Sequence, residues 1–172
     1  MPNRILIVGC PGSGKSTLSR ALAERTGLPV VHLDKLYWRD NWTSVTNEEF
    51  DALLRCELDK DRWIIDGNFS RTLEMRLARA DMVIWLDLPT CVSLFGALKR
   101  VLTNYGKVRP DMASNCPERL NWPFIRSILT FRRRTGQKMA QLIVPSPGRE
   151  VVRLRSRTQQ RAFLASLQNT GL

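Results

Sequence analysis

Lys15 and Ser16 close the run Gly9-Cys10-Pro11-Gly12-Ser13-Gly14-Lys15-Ser16-Thr17, which has the spacing G-x-x-x-x-G-K-[ST]. These residue types in this order suit one chemistry, the holding of nucleotide phosphates. Gly9, Gly12 and Gly14, with Pro11 and Ser13 between them, let the backbone curl until several N–H groups converge on an anion. Lys15 supplies a cation for the β- and γ-phosphates and Ser16 a hydroxyl for Mg²⁺, while Thr17 enters a helix whose positive end faces the same anion. The context is complete. Ile5-Leu6-Ile7-Val8 reads as a buried parallel strand, and Leu18, Ala21, Leu22 and Arg25 keep a helical period until Gly27 and Pro29 stop it. The pattern predicts a site for ATP or GTP.

Two carboxylates belong to the same constellation. Val30-Val31-His32-Leu33 reads as a second strand ending in Asp34, and Trp63-Ile64-Ile65 as a third ending in Asp66-Gly67. Phosphate loops of parallel sheets lie at the C-terminal ends of strands, so Asp34 and Asp66 should share a cleft with Lys15. One of the two, with Ser16, would hold Mg²⁺ directly or through water, and the other would orient or deprotonate an acceptor hydroxyl. Tyr37, Trp38 and Trp42 either stack on that acceptor or form the packed underside of a loop. His32 alternates with apolar neighbours and reads as structural.

The elements that must position these groups follow from periodicity. Thr46 and Glu49 have capping-box spacing ahead of Phe50, Leu53, Leu54 and Leu58, and Leu73 and Leu77 mark a short helix. Met82 to Leu86 is a fourth strand. Thr90 is placed to cap a helix striped by Leu94, Phe95, Leu98, Val101, Leu102 and Tyr105, with Gly106 past its end. Residues 107–123 contain Pro110, Pro117 and Pro123 and read as a loop or lid, inside a lid-like insertion around 104–136. A helix then runs from about Phe124 through Arg132-Arg133-Arg134. A fifth strand, Val151 to Leu154, leads to a last helix opened by Ser156 and Gln159. Alternating strands and helices predict an α/β fold: three α/β/α layers, a doubly wound five-stranded parallel sheet and a small helical lid, in one domain over residues 1–172.

Composition bounds the partners. Residues 1–90 carry 12 basic and 13 acidic side chains, whereas residues 91–172 carry 15 and 3, within a net charge of +11 over 172 residues. Such asymmetry predicts an anionic partner, either a polyphosphate or nucleic acid. No helix-turn-helix, RNP or zinc-finger signature supports nucleic acid. The four cysteines form no C-x-x-C pair and there is one histidine, which argues against structural zinc. With no long apolar span or secretory signal, the expectation is reduced thiols, no membrane and a cytoplasmic location.

These motifs resemble the nucleoside-monophosphate kinases of the P-loop class. Trp63-Ile64-Ile65-Asp66-Gly67-Asn68-Phe69-Ser70-Arg71-Thr72 is similar to the adenylate-kinase segment in which an Asp near Mg²⁺ is followed by an Arg that clamps the acceptor phosphate. Here Arg71 comes one residue later and Ser70 replaces a proline. The same resemblance puts Arg100 on ATP and the later lid arginines, Arg132, Arg133 and Arg134, over the transferring phosphate. Helical geometry lets at most two consecutive arginines face one ligand. Asp34 after the second strand looks more like shikimate and gluconate kinases. The combination of Leu33-Asp34, Tyr37-Trp38, Trp63 to Asn68 and the arginine run most resembles bacterial DNA topology modulation proteins. The resemblance implies a kinase that uses ATP and Mg²⁺ on a small-molecule acceptor. The alternative it leaves open is a nucleic-acid-binding protein regulated by nucleotide.

Overall fold

A computed structural model describes residues 2–168. The chain begins with β1 (Arg4–Gly9) and α1 (Lys15–Thr26), followed by β2 (Val30–His32) and α2 (Leu33–Tyr37). A two-residue pair, β3 (Trp38–Arg39) and β4 (Thr43–Ser44), is antiparallel and precedes α3 (Asn47–Leu58). Next come β5 (Trp63–Asp66), α4 (Leu73–Leu77), β6 (Met82–Leu86) and α5 (Thr90–Asn104). After irregular chain, α6 (Trp122–Phe131) runs through a π-helical stretch, Arg132–Gly136, into α7 (Gln137–Leu142). The chain closes with β7 (Glu150–Leu154) and α8 (Arg157–Gln168).

Five strands form one parallel sheet in the order β2-β5-β1-β6-β7. Side chains of a strand point alternately to its two faces, so an apolar run needs cover on both. β1 shows this directly. Leu6 and Val8 pack with Trp63, Ile65, Phe50 and Leu54 on one face, while Ile5 and Ile7 pack with Leu18, Leu22, Ile64 and Ile84 on the other. The expected α/β class and the five-stranded parallel sheet are therefore observed.

After β1 the chain moves outward to β2, and after β5 it crosses to β6 on the other side of β1. The crevice opens where these directions diverge, at the ends of β1 and β5. Ile7 pairs with Asp66, and Gly67 N–H donates to the Ile7 carbonyl at 3.2 Å. Adjacent strand ends thus bring Asp66 beside the loop that leads to Lys15.

Local signals hold where the bonds are local. Thr46 Oγ1 accepts from Glu49 N–H at 3.2 Å, and Ser156 Oγ accepts from Gln159 N–H at 3.1 Å. Three details differ from expectation. Leu33 and Asp34 open α2 instead of ending β2. Thr90 is the first residue of α5 and caps nothing, Pro89 standing in the cap position. The face that α5 buries is Ser93, Ala97 and Val101, leaving Phe95, Leu102 and Tyr105 exposed. The reason is proximity: a Cβ at Gly12 would strike the Ser93 carbonyl and Ala97, so the helix meets the loop through small residues. Residues 107–123, read as a loop or lid, lie in irregular chain between α5 and the start of α6, pinned by short bridges from Tyr105 to Glu118 and from Val108 to Pro117.

Candidate active site

The loop from Gly9 to Lys15 curls on glycines with left-handed backbone, φ +81° at Gly12 and +95° at Gly14. Gly14 stands at the N-terminus of α1 with no side-chain cap, which leaves the first N–H groups of that helix for an anion. Lys15 Nζ folds back and donates to the carbonyls of Gly9 at 2.8 Å and Cys10 at 3.2 Å. Burial lowers the pKa of Lys15, and the charges of Asp66 and Asp34 act against that fall. Burial pushes the Cys10 thiol up to about 11, so its backbone, not its sulfur, belongs to the site.

Asp66 is buried and doubly held. Ser19 Oγ donates to its Oδ2 at 3.1 Å, and His32 Nδ1 lies 2.8 Å from its Oδ1. A carboxylate can only accept, so the Nδ1 position carries the proton. His32 thus reaches the site through Asp66, whose carboxylate it helps to hold. Asp34 sits in the first turn of α2. Its pKa is raised by burial and by the neighbouring Asp66, against the lowering effect of Lys15.

Lys15, Ser16, Asp34, Asp66 and Gly67 line one cavity of about 850 Å³. Pro11, Gly12, Gly14, Thr17 and Arg100 line it as well, and Trp38 and Trp42 form part of its wall with ring centroids 5.4 Å apart. Other candidates lie elsewhere. Ser13 is fully buried within the loop and does not line the cavity. Tyr37 packs against Phe50 and Phe69 in the core, so of the two proposed stacking residues at 37 and 38 only Trp38 lines the cavity. Arg71 is not in the wall; its Nη1 and Nη2 donate to Asp51 on α3 at 2.7 and 2.6 Å. Arg132 and Arg133 are exposed and border a separate groove with Trp85, Asp87 and Arg153.

The structure adds groups that sequence reasoning missed. Arg109, in the irregular segment, pairs with Asp111 at 2.7 Å and Glu118 at 2.5 Å, and Arg100 reaches Glu118 at 2.9 Å. Burial works to raise the pKa of Asp111, but Arg109 and the Ser16 hydroxyl outweigh it and hold the carboxyl low. A signal for these existed. Residues 91–172 contain 3 acidic residues, and two of them, Asp111 and Glu118, are buried in this wall. Asn68 Oδ1 accepts from Gly9 N–H at 3.0 Å and so ties the segment after β5 to the phosphate loop.

Arg76 was equally silent in the sequence. It is fully buried and donates to the carbonyls of Gly67, Asn68 and Phe69 at 2.9, 2.5 and 2.8 Å. Burial lowers its pKa to about 9, which leaves it charged at neutral pH. It freezes a turn in which Phe69 holds φ +24°. Arg76→Met strands those carbonyls without donors. The expected loss is about 2–4 kcal/mol, read as a fall in Tm of roughly 5–15 °C in thermal denaturation.

A family model described as an AAA domain matches residues 5–93, half of the chain. The chain belongs to the AAA domain family. The chain is 33% identical over 110 residues to the uncharacterized protein YqaC of Bacillus subtilis, a match covering 62% of this chain and 61% of that protein. It is 24% identical over 160 residues to the shikimate kinase of Corynebacterium glutamicum, covering 81% of this chain and 91% of that enzyme. In fold it is similar to a shikimate kinase from Bacteroides thetaiotaomicron, with a TM-score of 0.56 at 17% identity, over 99% and 98% of the two chains. It is also similar to a deoxyadenosine kinase from M. mycoides bound to its products, with a TM-score of 0.53 at 16% identity, over 96% and 98%. These likenesses give the AAA-domain chain a P-loop kinase fold.

Proposed function

We propose that this chain is an ATP-dependent kinase that transfers the γ-phosphoryl group to a hydroxyl of a small-molecule acceptor. The observation that carries the proposal is the lining of the cavity. Besides the phosphate loop and Asp34 it includes Trp38, Trp42 and Phe69, apolar surface that hydrolysis alone does not need. In the transfer, the acceptor oxygen bonds to the γ-phosphorus while the bond from that phosphorus to the β,γ-bridging oxygen breaks, leaving ADP. Asp34 orients the hydroxyl and accepts its proton. Lys15 and the N–H groups of the loop hold the donor phosphates, and Arg100, which lines the same cavity, supports them.

The residues fit Mg²⁺. Mg²⁺ is held by one or two protein groups with water and phosphate oxygens completing its shell. Ser16 supplies a hydroxyl, and Asp66, already orienting Ser19 and His32, supplies a carboxylate for the water shell. When bound, the ion neutralises phosphate charge. The resemblance to DNA topology modulation proteins is part of this proposal and rests on Leu33-Asp34, Tyr37-Trp38 and the Trp63 to Asn68 segment. Four free cysteines support a cytoplasmic setting, and no described helix is long and apolar enough to cross a membrane.

The test is turnover of ATP·Mg²⁺ against nucleosides, nucleoside monophosphates and small hydroxylated metabolites. The expected result is one acceptor that converts slow hydrolysis into stoichiometric phosphorylated product. Hydrolysis indifferent to every acceptor would reduce the protein to an NTPase.

A further inference from the structure

α8 opens on Arg157 with no acidic residue in its first turn, although a cation opposes the positive end of a helix. The helix does not need this side chain. Ser156 Oγ already accepts from Gln159 N–H, and Gln159 Oε1 accepts from Arg155 N–H at 2.6 Å. Arg157 instead turns inward to the phosphate loop, 144 residues earlier in the chain. Its Nη1 donates to the Ser13 carbonyl at 2.6 Å and to Gln160 Oε1 at 3.1 Å, and its Nη2 donates to the Gly12 carbonyl at 3.0 Å. Gln160 is buried, and its Nε2 donates to the same Ser13 carbonyl at 3.1 Å. Among the described residues no carboxylate pairs with this guanidinium; its partners are carbonyl and amide oxygens.

The surroundings are cut to admit it. A Cβ at Gly14 would collide with Arg157 Nη1, and one at Gly96 would crowd Nη2 and strike the Gly12 carbonyl. Gly96 lies inside α5, where glycine weakens a helix, and the Gly12 carbonyl, standing where its Cβ would be, is what requires it there. The consequence for the loop is geometric. In a trans peptide the C=O and N–H point in opposite directions. Drawing the Ser13 carbonyl back toward α8 therefore turns the Gly14 N–H away from α8, toward the cavity that Gly14, Lys15 and Ser16 line.

We infer that Arg157, backed by Gln160, is a positioning residue of the phosphate loop: it clamps the Gly12 and Ser13 carbonyls from behind and presets the loop for a nucleotide polyphosphate. The inference rests on the reading of this cavity as the donor site. A preset loop loses less freedom on binding, so the clamp appears as nucleotide affinity.

The experiment is equilibrium binding of ADP·Mg²⁺ by calorimetry to the full chain, to Arg157→Ala and to Arg157→Lys. Arg157→Ala should bind about tenfold or more weakly. Millimolar guanidinium should restore much of that affinity, by entering the slot between Gly14 and Gly96, and should leave the unsubstituted chain unchanged. Arg157→Lys should stay weak, because an ammonium on a flexible stem does not reproduce the planar fork that spans two carbonyls. Binding by Arg157→Ala within about twofold of the unsubstituted chain overturns the inference. So does a loss that guanidinium leaves untouched. If Arg157→Ala does not fold, Arg157→Lys decides alone, weakened binding supporting the clamp and unchanged binding overturning it. Failure of the unsubstituted chain to bind ADP·Mg²⁺ or ATP·Mg²⁺ overturns the donor site itself, and this inference with it.

Discussion

Lys15→Ala is expected to lower kcat/KM for ATP-dependent transfer by about a thousandfold or more. Lys15 is the cation of the loop itself, in a cavity also lined by Asp34, Asp66, Asp111 and Glu118. Without it, the loop loses its own cation beside Asp34 and Asp66, while Arg100 and Arg109, which also line the cavity, stay engaged with Glu118 and Asp111. The two carbonyls that Lys15 Nζ now contacts, those of Gly9 and Cys10, would be released to water or to ligand, a small structural cost. The loss therefore belongs to donor binding and transition-state charge and not to folding. Steady-state kinetics paired with circular dichroism checks this. A folded Lys15→Ala chain that turns over at the unsubstituted rate would sink the phosphate-loop assignment.

Asp34→Asn should separate transfer from donor binding. The amide keeps the size of the carboxylate but cannot take a proton, so kcat is expected to fall about 10²- to 10⁴-fold while ADP·Mg²⁺ affinity stays within about threefold. The pH profile carries the same signature. Burial and the nearby Asp66 raise the Asp34 pKa above the ordinary carboxylate value. A raised pKa keeps the group protonated, and idle as a base, to higher pH. Activity is therefore low below that pKa and rises as pH passes through it, giving an acid limb above the usual aspartate range of about 3.9. That limb should vanish in Asp34→Asn. Equal losses in transfer and in nucleotide affinity would make Asp34 a structural residue instead.

What the sequence determined by itself is whatever rests on neighbours a few residues apart. The glycine and lysine spacing of the phosphate loop, the two-sided apolar strands, the Thr46 to Glu49 cap and the Ser156 to Gln159 cap all form within a turn or a strand. Local bonds need no knowledge of the rest of the chain. The placing of Asp34 and Asp66 near Lys15 was legible one level higher, because parallel sheets gather their strand ends at one edge.

Tertiary structure alone decided the fate of the arginines. Arg71 and Arg76 lie on one short segment, yet Arg71 pairs with Asp51 at the surface and Arg76 is buried beneath Gly67, Asn68 and Phe69. Arg132 and Arg133 border an outer groove, whereas Arg109, in a stretch without regular structure, joins the cavity wall. Arg157 reaches a loop at the other end of the chain. A guanidinium on a long stem is stabilised wherever acceptors surround it, and its energy depends on distance and solvent exposure in space. Neither quantity is encoded by spacing along the chain, so the same residue type became a surface pair, a buried brace and a loop clamp only once the sheet had brought the segments together.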